Sequence, residues 1–175
     1  HGWERNGQKI WDEYYGDRKA INLGFGGDRT EHVLWRLNHG EFDGYKPRVA
    51  VIMIGTNNTG HDMHPPEAIA AGIKKIVSTI QNKSPHTKIL LLGIFPRGAT
   101  TDDPKRVNND NTNALISTMA DGKRIFYLNI NNEFLTDDGV LTKEIMPDLL
   151  HPKEKGYAIW AEAIEPTLAR LYDMK

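Results

Sequence analysis

The sequence predicts an α/β protein of three layers, with a parallel sheet sandwiched between helices. Three observations carry that reading. Strand-like and helix-like stretches alternate along the whole chain. The runs Arg48 to Ile54, Lys88 to Ile94 and Arg124 to Ile130 are almost continuously apolar, as strands covered on both faces are. Polar clusters follow strand-like runs at Gly24 to Asp28 and Gly55 to Asn58, with Asp148 and His151 after the last run and its loop. The carboxyl ends of strands are where such sheets gather ligands.

Each element has its own signal. Ile10, Trp11, Tyr14 and Tyr15 recur at helical spacing between Gly7 and Tyr15, and Gly16-Asp17 ends that helix. Ala20-Ile21-Asn22-Leu23 reads as a short strand, followed by the glycine turn Gly24 to Asp28. Thr30 to Leu37 is a helix with Val33, Leu34 and Leu37 on one face. Lys46-Pro47 turns the chain into the strand Arg48 to Ile54, which stops at Gly55-Thr56-Asn57-Asn58. Pro65-Pro66-Glu67 opens a helix, since proline and an acidic residue suit a first turn. Its apolar stripe is Ile69, Ile73, Ile76, Val77 and Ile80. After the strand Lys88 to Ile94, a long loop runs from Phe95 through Pro104. A weaker helix spans Arg106 to Ala120, with Val107, Leu115 and Met119 inward. Asp121-Gly122 leads into the strand Arg124 to Ile130, and Asn131 to Met146 is mostly loop. Glu154 to Tyr172 is the closing helix, with Tyr157, Trp160, Ile164, Leu168 and Leu171 buried and a kink expected at Pro166.

Composition bounds the function. A chain of 175 residues suits one domain with a proper core. A net charge of −1 gives no electrostatic reason to expect nucleic acid or an anionic membrane. There are no cysteines, so disulfides, thiolate metal sites and a cysteine nucleophile are excluded. No apolar run approaches the roughly 20 residues of a membrane span. His1-Gly2-Trp3-Glu4 is neither an initiator nor a signal peptide, so a segment is expected upstream. The compartment stays open, and export is compatible with a removed signal.

The polar clusters carry the chemistry. In Asp148-Leu149-Leu150-His151-Pro152, a carboxylate and an imidazole stand three residues apart. The carboxylate can hold one ring nitrogen and leave the other as a base. The same letters also suit a plain helix start. Gly24-Phe25-Gly26 begins a dinucleotide loop, but the full fingerprint needs glycine where Arg29 stands. Bare turn geometry explains these glycines as well. Gly55 to Asn58 reads as a strand-ending turn. The Asn57 amide and the Gly27 N–H could also donate to a developing oxyanion. His61-Asp62-Met63-His64 lacks the third ligand a metal site needs, so no metal is expected.

Together, Gly24-Phe25-Gly26-Gly27-Asp28, Gly55-Thr56-Asn57-Asn58 and Asp148-Leu149-Leu150-His151 resemble the second, third and fifth blocks of the SGNH hydrolases, or GDSL esterases and lipases. They come in the family's order and at comparable intervals. Val33 to Leu37, Pro96-Arg97-Gly98 and Gly156-Tyr157 resemble the subgroup related to the platelet-activating-factor acetylhydrolase catalytic subunits and their bacterial esterase relatives. The resemblance covers nearly the whole chain. It implies a flavodoxin-like sheet of five parallel strands and one hydrolase domain over residues 1–175. It also implies ester hydrolysis through an acyl-serine intermediate, with no metal or cofactor. Asp148 would orient the imidazole, His151 would be the base, and Gly27 and Asn57 would form the oxyanion hole. The substrate would be a small molecule or a carbohydrate ester, with an acetyl group favoured.

The chain departs from the family in one respect. The first block, Gly-Asp-Ser, carries the nucleophile and is absent: Gly16-Asp17 precedes Arg18, and Gly27-Asp28 precedes Arg29. His1-Gly2-Trp3-Glu4 resembles the residues immediately after that block in the family, so the serine and the first strand are expected upstream of His1. Without that inner strand a stable monomer is not expected, and a homo-oligomer stays open. The alternative is an inactive domain of this fold that binds a glycan or a protein. A nucleotide-binding reading is disfavoured by the missing phosphate fingerprint.

Overall fold

A computed structural model describes residues 6–174; the His1 to Glu4 stretch lies outside them. Helices α1 (Gln8–Tyr15), α2 (Thr30–Asn38), α3 (Thr56–Asp62), α4 (Pro66–Lys83), α5 (Pro104–Ser117) and α6 (Glu154–Asp173) surround a sheet. The sheet consists of β1 (Val49–Ile52), β2 (Lys88–Leu92) and β3 (Ile125–Leu128), all parallel, in the order β1-β2-β3. The architecture is the predicted α/β sandwich, with three parallel strands among the described residues where the resemblance implied five.

Alternation along the strands builds two cores. Ala50, Ile52, Ile89, Leu91, Ile125 and Tyr127 face one side, where α2, α4 and Ile116 of α5 pack. Val49, Met53, Leu90, Leu92, Phe126 and Leu128 face the other, covered by Ile164, Leu168 and Leu171 of α6 and by Tyr15 of α1. Both faces of β2 are buried, which is why it reads as a continuous apolar run. The predicted stripe of α4 is fully inside, and each such side chain stabilises by about 1.5–3 kcal/mol. An Arg18–Glu165 ion pair fastens the end of α1 to α6.

Three expectations are corrected. Residues 20–23 form no strand, and Ile21 is 55% exposed. Among the described residues no strand pairs with them, and the Asn22 side chain accepts the Gly24 N–H at 2.8 Å, a local bond that competes with a ladder. Gly55 to Asn58 is not a bare turn: Gly55 precedes α3, which begins at Thr56. On α5, Val107 and Leu115 face outward, while Arg106, Asn109, Thr112, Asn113 and Ile116 are buried. The backbone beyond β2 dictates that polar face. Asn113 accepts the Ile94 N–H at 2.7 Å and donates to its carbonyl at 2.9 Å. Asn109 donates to the Phe95 carbonyl at 3.3 Å. Buried peptide groups need such partners once a strand has ended.

Candidate active site

Because the strands are parallel, the segments leaving β1, β2 and β3 emerge at one edge of the sheet. The segment after β1 turns at Gly55, where φ is +125°. A Cβ there would lie 2.7 Å from Ile94 Cδ1 and 2.8 Å from Ile69 Cγ2. Only glycine allows this turn, and it delivers Asn57 and Asn58 into the first turn of α3.

Those two asparagines gather the glycine turn. Asn57 Nδ2 donates to the Asp28 carbonyl at 2.9 Å, which ties its amide to the end of the glycine turn. Asn58, 2% exposed, accepts the Thr30 N–H at 3.0 Å and donates to Glu31 Oε2 at 3.1 Å. The turn itself is closed by the Asp28 N–H on the Phe25 carbonyl at 3.3 Å, with Gly27 at φ +81°. Arg36 grips the Asp28 carboxylate at 3.0 and 3.3 Å and lies over the Phe25 ring. The structure therefore ties Asn57 to the glycine turn through the Asp28 carbonyl. The supporting role of Asn58 was not legible, because a buried asparagine reads like a turn residue.

Asp148 and His151 meet in the loop before α6. Asp148 Oδ1 accepts the N–H groups of Leu150 at 3.1 Å and His151 at 2.8 Å. Its Oδ2 lies 2.6 Å from His151 Nδ1. An ionised carboxylate only accepts, so Nδ1 carries the proton and the neutral ring keeps a lone pair on Nε2. Leu149 between them adopts φ +58°, a left-handed conformation that costs a leucine energy. It is held there by its N–H on the Met146 carbonyl at 2.8 Å and by the Gly98 N–H on its own carbonyl at 3.1 Å. Burial acts to raise the Asp148 pKa. The hydrogen bonds from the His151 ring and backbone, the imidazole charge and the Leu150 N–H outweigh it, and the net shift is downward.

The two clusters are tied through the loop after β2. Arg97 donates to the Thr56 carbonyl at 2.7 Å, next to Asn57, and Gly98 bonds Leu149, next to Asp148. The His61 to His64 stretch forms no ligand set: Asp62 is paired with Arg29, and His64 Nδ1 lies 3.2 Å from Asn58 Nδ2. Among the described residues no three His, Asp or Glu side chains converge as a cation site requires, and no helix is long and apolar enough to cross a membrane. Ser78 lies along α4, Ser84 follows its last turn, and Ser117 ends α5. Ser84 meets Thr87 just before β2 begins, at the opposite end of that strand from Gly55 and Arg97.

Comparison with known proteins identifies the family. The sequence model of the GDSL-like Lipase/Acylhydrolase family matches residues 1–159. The platelet-activating factor acetylhydrolase IB subunit alpha1 of Bos taurus is 36% identical over 164 residues, covering 93% of this chain and 69% of that protein. The alpha2 subunit of Rattus norvegicus is 36% identical over 166 residues, covering 94% and 71%. A solved structure of a catalytic mutant of an acetylxylan esterase from Geobacillus stearothermophilus superposes with a TM-score of 0.71 at 17% identity, covering 96% of this chain and 79% of that one. At that identity the likeness speaks for the fold alone, but the family match and the relatives go further: the chain belongs to the GDSL-like lipase/acylhydrolase family of the SGNH superfamily and is a carboxylic ester hydrolase of that type.

Proposed function

We propose that His151 is the general base of a serine acylhydrolase, that Asp148 orients it, and that the Gly27 N–H and the Asn57 amide receive the oxyanion. The nucleophile of such an acylhydrolase is a serine, and Ser78, Ser84 and Ser117 lie away from His151. His151 Nε2 takes the serine proton as the oxygen attacks the ester carbonyl. The tetrahedral oxyanion forms against the two donors. The imidazolium returns the proton to the departing alkoxide, leaving an acyl-serine and an alcohol. Water, deprotonated by the same nitrogen, then releases the carboxylic acid and restores the serine. The observation that carries this reading is the 2.6 Å contact between Asp148 Oδ2 and His151 Nδ1.

The acyl group is small, with an acetyl ester of a carbohydrate as the favoured substrate. The support is the acetyl group named in both the acetylhydrolase relatives and the acetylxylan esterase neighbour. A series of p-nitrophenyl esters of increasing acyl length, followed by acetylated xylo-oligosaccharides, tests it on the full-length protein. The specificity constant is expected to be highest for acetyl. A maximum at long acyl chains overturns the small-acyl reading, and turnover of simple acetyl esters without acetylated sugars removes the carbohydrate.

A further inference from the structure

Arg97 lies outside both halves of the candidate site, yet it joins the elements that carry them. Its Nη1 donates to the Thr56 carbonyl at 2.7 Å and reaches Thr56 Oγ1 at 3.2 Å. Thr56 opens α3 and adjoins Asn57. One turn on, the guanidinium lies against Gly60, where a Cβ would stand 2.9 Å from Nη2 and 3.0 Å from Cζ. Its neighbour Gly98 donates to the Leu149 carbonyl at 3.1 Å, one residue from Asp148. Arg97 and Gly98 thus form a strut of two residues between the oxyanion donor and the base.

The strut is anchored from behind. Arg106, 2% exposed, donates to the carbonyls of Arg97 at 3.4 Å, Gly98 at 2.9 Å, Ala99 at 3.3 Å and Gly139 at 2.8 Å. Helix stabilisation does not explain the placement of Arg97. A cation beside a helix's first turn opposes the helix dipole, and the Thr56 carbonyl points along α3, where a helical N–H can already serve it. Burial lowers the Arg97 pKa, while Asp103 and Asp148 favour its charge. Lys105 also approaches Gly60, with its Nζ 3.4 Å from the carbonyl.

We infer that Arg97 is a positioning residue of the hydrolytic reaction, fixing the first turn of α3 so that Asn57 and His151 address the same carbonyl. The inference rests on the proposed roles of those two residues. Misplacing a donor by about 1 Å can cost on the order of 10²-fold in rate. An Arg97→Lys side chain keeps one donor for the Thr56 carbonyl but not the fork.

The test uses the full-length protein. Arg97→Met is expected to lower kcat by roughly 10–10²-fold with KM nearly unchanged, and Arg97→Lys to recover part of the loss. In the Asn57→Ala background, Arg97→Met is expected to cost little more, since residues acting as a unit are not additive. The side-chain amide resonance of Asn57 should move in Arg97→Met and return towards its original place in Arg97→Lys. Should Arg97→Met fail to fold, the Lys variant carries the same two readouts. If Asn57→Ala is inactive while Arg97→Met and Arg97→Lys leave kcat and the Asn57 resonance unmoved, Arg97 has no positioning role. If Asn57→Ala keeps full activity, the oxyanion assignment fails first and takes the purpose of Arg97 with it.

Discussion

Asp148 holds His151 at two points: Oδ1 accepts its backbone N–H at 2.8 Å, and Oδ2 meets its ring Nδ1 at 2.6 Å. The carboxylate fixes both where the residue sits and which way the ring faces. Asp148→Asn separates these duties. Its single oxygen is needed by the Leu150 and His151 N–H groups, so the amide nitrogen faces Nδ1. The ring must then put its proton on Nε2, where it cannot accept one from a nucleophile. A loss in kcat of roughly 10³–10⁴-fold is expected, with the loop intact. Steady-state kinetics beside a melting curve checks this, and near-normal turnover would remove Asp148 from the mechanism.

The downward shift of Asp148 sets the sign of the pH response. A carboxylate whose folded pKa is depressed contributes stability above its unfolded pKa, and that contribution is lost as pH falls through the folded value. Asp148 therefore stays ionised below the ordinary carboxylate range, and its protonation does not close the acid side of the rate profile. The acid limb is expected to come from the base that takes the serine proton, so kcat/KM should rise with pH as that base loses its own proton. A profile with no acid limb argues against a general base in the mechanism.

Asn57 is expected to act in the transition state. Its amide has two hydrogens, and one lies on the Asp28 carbonyl at 2.9 Å, which leaves one to turn towards substrate. Asn57→Ala should lower kcat by roughly 10²–10³-fold and change KM far less, because the charge it meets develops only as the ester is attacked. A raised KM with normal kcat would make Asn57 a ground-state contact instead.

These residues were legible because their chemistry is local. Asp148 and His151 reach each other within one turn, and Gly55 marks an abrupt stop after Ile54. Their supports were not legible. Asn109 and Asn113 spend their amides on Phe95 and Ile94, so the inward face of α5 is polar, and an apolar period points at the wrong side. The start of α5 was available, since Asp103 accepts the Lys105 and Arg106 N–H groups ahead of Pro104, a capping pattern. Residues 20–23 have strand letters, but pairing decides a strand, and pairing is not written in four residues.

Arg106 is a buried device with no apolar or motif signal in the sequence, and its loss should be costly. Arg106→Ala strands the carbonyls of Gly98 and Gly139, while Ala99 keeps the Leu141 N–H, and opens a hole under the loop. A loss of about 3–5 kcal/mol is expected from these unpaired groups, read by urea unfolding. A cost below about 1 kcal/mol, within reach of ordinary surface changes, would show that water serves those carbonyls equally well.

The nucleophile gives the last prediction. The chain has three serines, and none is placed for His151. Ser78 bonds the Lys75 carbonyl within α4, Ser117 bonds the Ala114 carbonyl within α5, and Ser84 is buried against Thr87. The 175-residue chain should therefore show no burst with an activated acetyl ester and no labelling by a serine-directed phosphonate. Binding and the oxyanion donors alone leave only about 10³–10⁴-fold over water. The full-length protein should label once, at a serine upstream of His1. Stoichiometric labelling of Ser78, Ser84 or Ser117 would relocate the chemistry. A full-length sequence with no upstream serine would leave the base, its orienter and the oxyanion donors without a nucleophile, and would turn the domain into a module that binds a glycan or a protein.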